Sequence, residues 1–179
     1  ASKIDLVISN SNNSDLPVFK DLESQLVINK STIKIPHVGD KYKLGSADIE
    51  VIDTSAEEPN DSLVLLITYG KTRFMFTGDI EEKAQRRIHS QYENDSNTPY
   101  KIDLIKMPHH GSTLLIRFIE VFKPDYAVIS VGNGKQYKHP FVDTLDLLDQ
   151  AEVKVYRTDE DGDITVKSGG ETLSVETRR

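Results

Sequence analysis

The stretch Ile102–Ser112 reads IDLIKMPHHGS, an apolar run that stops at a proline, two adjacent histidines, a glycine and a serine. Its first part, Ile102–Met107, predicts a buried strand. Its second part predicts a site at the end of that strand, where α/β folds commonly place their chemistry. Gly111 lets the backbone turn sharply or approach a ligand closely. Neighbouring side chains in extended chain point opposite ways, so one imidazole faces a given metal and the other serves its surroundings or the substrate. The structural alternative is a polar loop in which Ser112 caps a helix at Leu114. Two imidazoles at a buried strand end call for a partner, which favours chemistry.

Upstream, Leu63–Thr68 (LVLLIT) and Arg73–Phe76 flank the turn Tyr69–Gly70–Lys71 and predict a largely buried hairpin. Ile80–Tyr92 predicts a helix with Glu81 and Glu82 in its first turn, a charge order that suits the helix dipole. Further back, Lys3–Ser9 reads as a short buried strand and Asn10–Asp15 (NSNNSD) as a polar turn. Leu16–Gln25 is a short helix with Asp15 as its cap, Leu26–Leu44 carries weak strand signals, and Ala47–Asp53 alternates as a half-exposed strand does. Downstream, Leu114–Phe122 gathers Leu114, Leu115, Phe118, Val121 and Phe122 on one helical face. Tyr126–Val131 is a strand, and Phe141–Gln150 a helix opened by Pro140. Val153–Tyr156, Asp163–Val166 and Thr172–Glu176 are the last strands. The pattern predicts one layered α/β domain over residues 1–179, with helices covering sheet faces.

The composition of the 179 residues narrows the chemistry. Hydrophobic residues make up 37%, which suits a globular core. No apolar run is long enough to span a bilayer. The chain has no cysteine, so disulfides, thiolate metal sites and Cys nucleophiles are excluded. A metal must be held by His, Asp, Glu or Asn, a donor set that suits zinc, manganese or iron. The formal net charge is −7. A nonspecific nucleic-acid binder carries excess Lys and Arg, so with a phosphodiester substrate a metal must supply the local positive charge. Ala1 at the start predicts a processed product or expressed fragment, and Ala1–Ile8 lacks the marks of a signal peptide.

Two further strand ends hold candidates. Thr77–Gly78–Asp79 follows the hairpin. Asp79 is either the cap of the next helix or a carboxylate that bridges or binds metal. Tyr137–Lys138–His139–Pro140 contains a histidine that is either a loop residue or a substrate neighbour. His37 and His89 read as structural or solvent-facing, His89 lying in the last turn of a helix where a cation is favoured. Asp159–Gly162 (DEDG) reads as a turn, since it lacks the spacing of a calcium loop.

Taken in order, these segments resemble a known family. Asn60–Leu65 (NDSLVL), Phe74–Asp79 (FMFTGD), Ile105–Ser112 (IKMPHHGS), Lys123–Ser130 (KPDYAVIS), Val131–Asn133, His139–Pro140, Val155–Asp159 (VYRTD) and Gly162 occur as in the metallo-β-lactamase-like domain of the DNA-internalisation competence protein ComEC and its stand-alone relatives. The resemblance covers about Asn60–Val166 and is specific, because many short motifs fall in the right order. It implies an αββα sandwich with a metal site at one edge of the packed sheets. By resemblance Asp79, Asp15 and His109 match metal-binding positions, with His110 the alternative to His109. Asp15 and His110 match catalytic positions, and Ser112 and His139 lie near the substrate. The implied cofactor is zinc or manganese, as one or two divalent ions. The implied reaction is attack of a metal-bound hydroxide on a phosphodiester or small ester, with single-stranded DNA the substrate implied for the competence proteins.

Two departures qualify the resemblance. The family's opening strands with a D-V-G-Q-G-D-like segment are absent, so the chain is expected to be the C-terminal portion of the fold, lacking its first strands. The family's H-x-[HD]-x-D-H motif is matched by Ser11–Leu16 (SNNSDL), where only Asp15 keeps its identity. Ser and Asn are poor substitutes for imidazole and carboxylate ligands. Two functions therefore stand side by side: a metal-dependent hydrolase, and a catalytically inactive scaffold or binding module with a degenerate metal site. An extracytoplasmic or membrane-attached setting follows only from a ComEC-like parent.

Overall fold

The apolar runs pair into one large mixed sheet in the computed structural model, which describes residues 4–10, 17–55, 62–95, 100–132 and 138–179. A small parallel pair comes first in chain order. It consists of β1 (Leu6–Ile8) and β2 (Thr32–Lys34), with helix α1 (Pro17–Ile28) between them in sequence. The main sheet follows. Strands β3 (Lys41–Leu44), β4 (Ala47–Asp53), β5 (Val64–Tyr69), β6 (Thr72–Phe76), β7 (Leu104–Lys106), β8 (Tyr126–Ile129) and β9 (Lys154–Arg157) lie side by side in that order.

The sheet changes character at β6. From β3 to β6 neighbours are antiparallel, and short turns join β3 to β4 and β5 to β6. From β6 to β9 they are parallel. A parallel neighbour requires a crossover long enough to return the chain, and each crossover here contains a helix. These are α2 (Glu82–Tyr92), α3 (Ile116–Phe122) and α4 (Val142–Gln150). The one-turn helix α5 (Thr158–Asp161) then leads to the antiparallel hairpin β10 (Asp163–Ser168) and β11 (Leu173–Arg178). Its bend meets the β5–β6 turn, where the Lys71 N–H donates to the Gly170 carbonyl at 2.6 Å.

Register separates the two faces of the sheet. Leu66, Met75, Ile105, Ala127 and Val155 stand in line across β5 to β9. Cross-strand partners share a face, so this row forms the floor of the core. Leu66, Met75, Ile105 and Ala127 are buried, in one cluster with Ile80, Ala84 and Ile88 beside them, Phe118, Ile119 and Phe122 of α3, and Leu148 of α4. The next row, Leu65, Phe76, Lys106, Val128 and Tyr156, lies on the opposite face. It is less covered, and Phe76 is 41% exposed.

The mixed α/β class, the hairpin and the helix–strand alternation agree with the sequence reading. Several details differ. Lys3–Ser9 was expected as a buried strand, but β1 is three residues long and Leu6 is exposed, because its partner is the equally short β2 and not the main sheet. The helix expected from Leu114 begins at Ile116. Asp159–Gly162 was read as a turn, and Thr158–Asp161 closes one helical turn before Gly162. Asp15, expected to cap α1, lies outside the described residues.

One ion pair ties the helical layer to the sheet. Asp53, at the end of β4, is buried, and Arg87 of α2 grips it with both arms of its guanidinium, Nε to Oδ2 at 2.8 Å and Nη2 to Oδ1 at 2.9 Å. The Ser55 N–H donates to the same carboxylate at 2.7 Å. Bidentate geometry and burial make this stronger than a surface pair. Asp53→Asn removes the charge and leaves the guanidinium imperfectly matched. It should lower stability by about 2 kcal/mol in a urea unfolding titration, without changing the folded secondary structure.

Candidate metal centre

The parallel strands β6, β7 and β8 end on one edge of the sheet, and each is followed by a segment singled out in the sequence. The first is Thr77–Gly78–Asp79. Thr77 is buried, and its hydroxyl donates to the Lys106 carbonyl at 2.7 Å, which locks the end of β6 to the end of β7. Gly78 has φ +57, and a Cβ there would sit 2.6 Å from the Ser62 Cβ. A side chain is excluded on both counts. Ser62 Oγ accepts the Asp79 N–H at 2.9 Å. Helix α2 starts only at Glu82, after Glu81 as its flanking residue, and no side chain caps it. The cap reading of Asp79 therefore fails: the residue stops short of the helix and its carboxylate turns to the next strand end.

The second segment is Pro108–Gly111, a tight turn in which the chain runs left-handed at three consecutive residues: His109 (φ 42), His110 (φ 57) and Gly111 (φ 79). The expectation that the imidazoles diverge as in an extended strand is met by a different geometry. The His109 N–H donates to the Gly78 carbonyl at 3.2 Å, stitching the two turns together. Gly111 is packed so tightly that a Cβ would lie 2.7 Å from the Pro140 Cβ.

The rings point to different carboxylates. His110 Nε2 lies 3.9 Å from Asp79 Oδ2. His109 Nδ1 lies 3.8 Å from Glu81 Oε1. His110 Nδ1 is 2.6 Å from the Ser130 carbonyl, beyond β8. A carbonyl only accepts, so Nδ1 carries the proton there, and in the neutral ring Nε2 presents a lone pair towards Asp79.

His139 lies in the same neighbourhood. Its ring stacks between His109, at 5.7 Å between centroids, and Phe141, at 4.9 Å. Burial pushes the His139 pKa below the usual histidine range, and the nearby His109 and His110 push it the same way. Ser112 lies behind the turn, buried, and its carbonyl accepts a hydrogen bond from the Thr144 hydroxyl. It does not cap α3, whose flanking residue is Leu115. That task falls to Gln85 of α2, fully buried: its Nε2 donates to the Thr113 carbonyl at 2.8 Å, and its Oε1 accepts the Leu115 N–H at 2.9 Å. The sequence reading missed Gln85. Its signal was a lone amide beside the apolar pair Ala84 and Ile88 on a helix.

The arrangement brings together Asp79, His109, His110 and His139 at one sheet edge. Asp15 lies outside the described residues. Among the described residues, no three of His, Asp and Glu converge closely enough to form a ligand cluster. Asp79 and His110 nonetheless fit half of a divalent site. A carboxylate oxygen and an imidazole lone pair facing each other repel unless a proton or cation lies between them. Two ligands of a tetrahedral zinc are about 3.4 Å apart, a little closer than the 3.9 Å seen here.

No family model matches the chain. It is 32% identical over 132 residues to ComE operon protein 3 of Bacillus subtilis (strain 168), covering 70% of this chain and 16% of that protein. It is 28% identical over 120 residues to Recombination protein 2 of Haemophilus influenzae, covering 66% and 14%. It is 26% identical over 128 residues to competence protein ComA of Neisseria gonorrhoeae, covering 68% and 18%. The chain thus spans less than a fifth of the length of these relatives. Among solved structures, a candidate Zn-dependent hydrolase of the metallo-β-lactamase superfamily from Thermotoga maritima superposes with a TM-score of 0.43 at 11% identity, over 86% of this chain and 80% of that one. A variant of the β-hydroxylase CmlA gives 0.46 at 13% identity, over 76% and 34%. The sequence relationship to competence proteins, together with the order of the motifs along a mixed α/β sheet, identifies the chain as a ComEC-like protein of the metallo-β-lactamase fold.

Proposed function

We propose that this chain is a metal-dependent hydrolase acting on a phosphodiester or a related ester. One observation carries the reading: the Asp79 carboxylate faces His110 Nε2 while the other nitrogen of that ring is held by the Ser130 carbonyl. A second-sphere carbonyl that fixes the tautomer of a histidine is the usual support of a metal-ligating imidazole.

The energetics point the same way. Both partners are nearly half exposed, at 47% and 44% of their side chains. Such a pair contributes roughly 0–1 kcal/mol to stability. Left-handed backbone at a non-glycine residue costs about 1–3 kcal/mol, and here two adjacent histidines adopt it. Surface pairing does not offset that cost; the His109 bond to the Gly78 carbonyl and the packing of Gly111 on Pro140 hold the turn, and backbone held in this way is common at binding sites.

In this reading Asp79 and His110 hold a zinc or manganese ion. When bound, that ion supplies Lewis acidity and raises the acidity of water at neutral pH. The distances favour His110 over His109 as the imidazole ligand. In the same reading His109, which faces Glu81 and stacks on His139, orients substrate or supports a second ion. Asp15 completes the proposed set. The setting of the reaction, with single-stranded DNA as the proposed polymer substrate, is supported by the names of the relatives, which speak of competence and recombination. The second reading, an inactive scaffold, draws on Ser11, Asn13 and Leu16 in the family's ligand positions and on the two-residue donor set among the described residues.

Metal analysis separates the two. The purified protein, reconstituted and desalted, should retain close to stoichiometric zinc or manganese. Asp79→Ala and His110→Ala should lose it, and His109→Ala should retain most of it. A folded protein that holds no metal after reconstitution would establish the scaffold. Hydrolysis of bis-p-nitrophenyl phosphate with added manganese should fall at least a hundredfold in Asp79→Ala, and activity indifferent to that change would reject the site. Gly78→Ala should weaken metal retention by displacing Ser62 and Asp79, at a stability cost of about 1–3 kcal/mol seen in urea unfolding.

A further inference from the structure

We infer that Lys106 is the residue that binds the anionic phosphate of the substrate, which makes the proposed hydrolase selective for phosphodiesters over neutral carboxylic esters. The inference rests on the hydrolase reading above and narrows its substrate class.

Lys106 is the last residue of β7, three positions before the histidine pair, at the edge where Asp79 stands. Its backbone is fixed, since its carbonyl accepts the Thr77 hydroxyl. Its side chain rises from the row between Phe76 of β6 and Val128 of β8. Cross-strand partners share a face, so both neighbours beside the aliphatic stem are apolar, and the residue is half-buried. An ammonium has three N–H groups to satisfy. Among the described residues its Nζ makes one hydrogen bond, to the Met107 carbonyl at 3.0 Å, and no ion pair.

A partly desolvated cation with one neutral partner is an expensive thing to keep. Burial pushes its pKa below the ordinary lysine value, and the Asp79 carboxylate pushes it back only in part. A methionine or leucine would suit this row of the sheet better. The spare donors and the residual positive field are explained by an anion that arrives at the same edge. In a chain of net charge −7, local cationic groups are what admit a phosphate at all. A phosphodiester carries one negative charge and two non-bridging oxygens. It can present one oxygen to Lys106 with its phosphorus beside Asp79 and His110. A neutral ester offers Lys106 no charge to recognise.

The test compares wild type, Lys106→Met and Lys106→Arg, all loaded with manganese and checked for metal content and thermal unfolding. Lys106→Met should keep its metal and raise KM for bis-p-nitrophenyl phosphate by about tenfold or more, with p-nitrophenyl acetate turnover unchanged. Lys106→Arg should recover most of the loss. A second readout needs no turnover: saturation-transfer NMR of bis-p-nitrophenyl phosphate on Asp79→Ala protein, with and without Lys106→Met. The diester signal should weaken when the lysine is removed. Equal effects on both esters, or diester binding that ignores Lys106, would overturn the assignment. If wild type hydrolyses neither ester, the hydrolase reading fails, while a Lys106-dependent diester signal still upholds the binding site.

Discussion

The left-handed turn His109–Gly111 is the constraint on which the site depends. It reverses the chain directly after β7 and aims two imidazoles at two different carboxylates. Nothing local favours it at a histidine, so it persists because its surroundings over-determine it. The Gly78 carbonyl holds the His109 N–H, the Ser130 carbonyl holds the His110 ring, and Pro140 closes on the face of Gly111. Two strand ends and the segment leading into α4 thus contribute one restraint each.

The rest of the fold explains why these strand ends are neighbours. Parallel order from β6 to β9 sends every C-terminal end to one edge, and the crossover helices pay for that order by burying their apolar faces on the Leu66–Met75–Ile105–Ala127 row. Gln85 and the Asp53–Arg87 pair then fix α2 against α3 and the sheet with directional bonds. Apolar packing sets the depth of the helices, and these polar contacts set their angular position. Both are needed for an edge whose geometry matters to a few tenths of an ångström.

The sequence revealed the strand and helix order well, because period-2 apolar runs and the apolar face of Phe118, Val121 and Phe122 are strong local signals. It also marked TGD, HHGS and His139 as neighbours through their order along a known fold. It misjudged what depends on tertiary context. Asp79 looked like a helix cap because Asp is a good one, yet the helix waits until Glu82 while the chain completes its bonds to Ser62 and His109. For Ser112 the cap was only the alternative to a role at the site, and in the structure a glutamine from another helix bonds the chain ahead of α3. Lys106 was read as part of a buried strand, since a lysine inside IDLIKM carries no local sign that its ammonium lacks a counter-ion.

The central claim is that Asp79 and His110 share one divalent cation. Anomalous diffraction from crystals grown with manganese or zinc tests it most directly. The account predicts a peak about 2.0–2.2 Å from both the Asp79 carboxylate and His110 Nε2, with His110 Nδ1 still on the Ser130 carbonyl. A peak bound elsewhere, or Asp79 and His110 joined by a direct hydrogen bond at saturating metal, would contradict it.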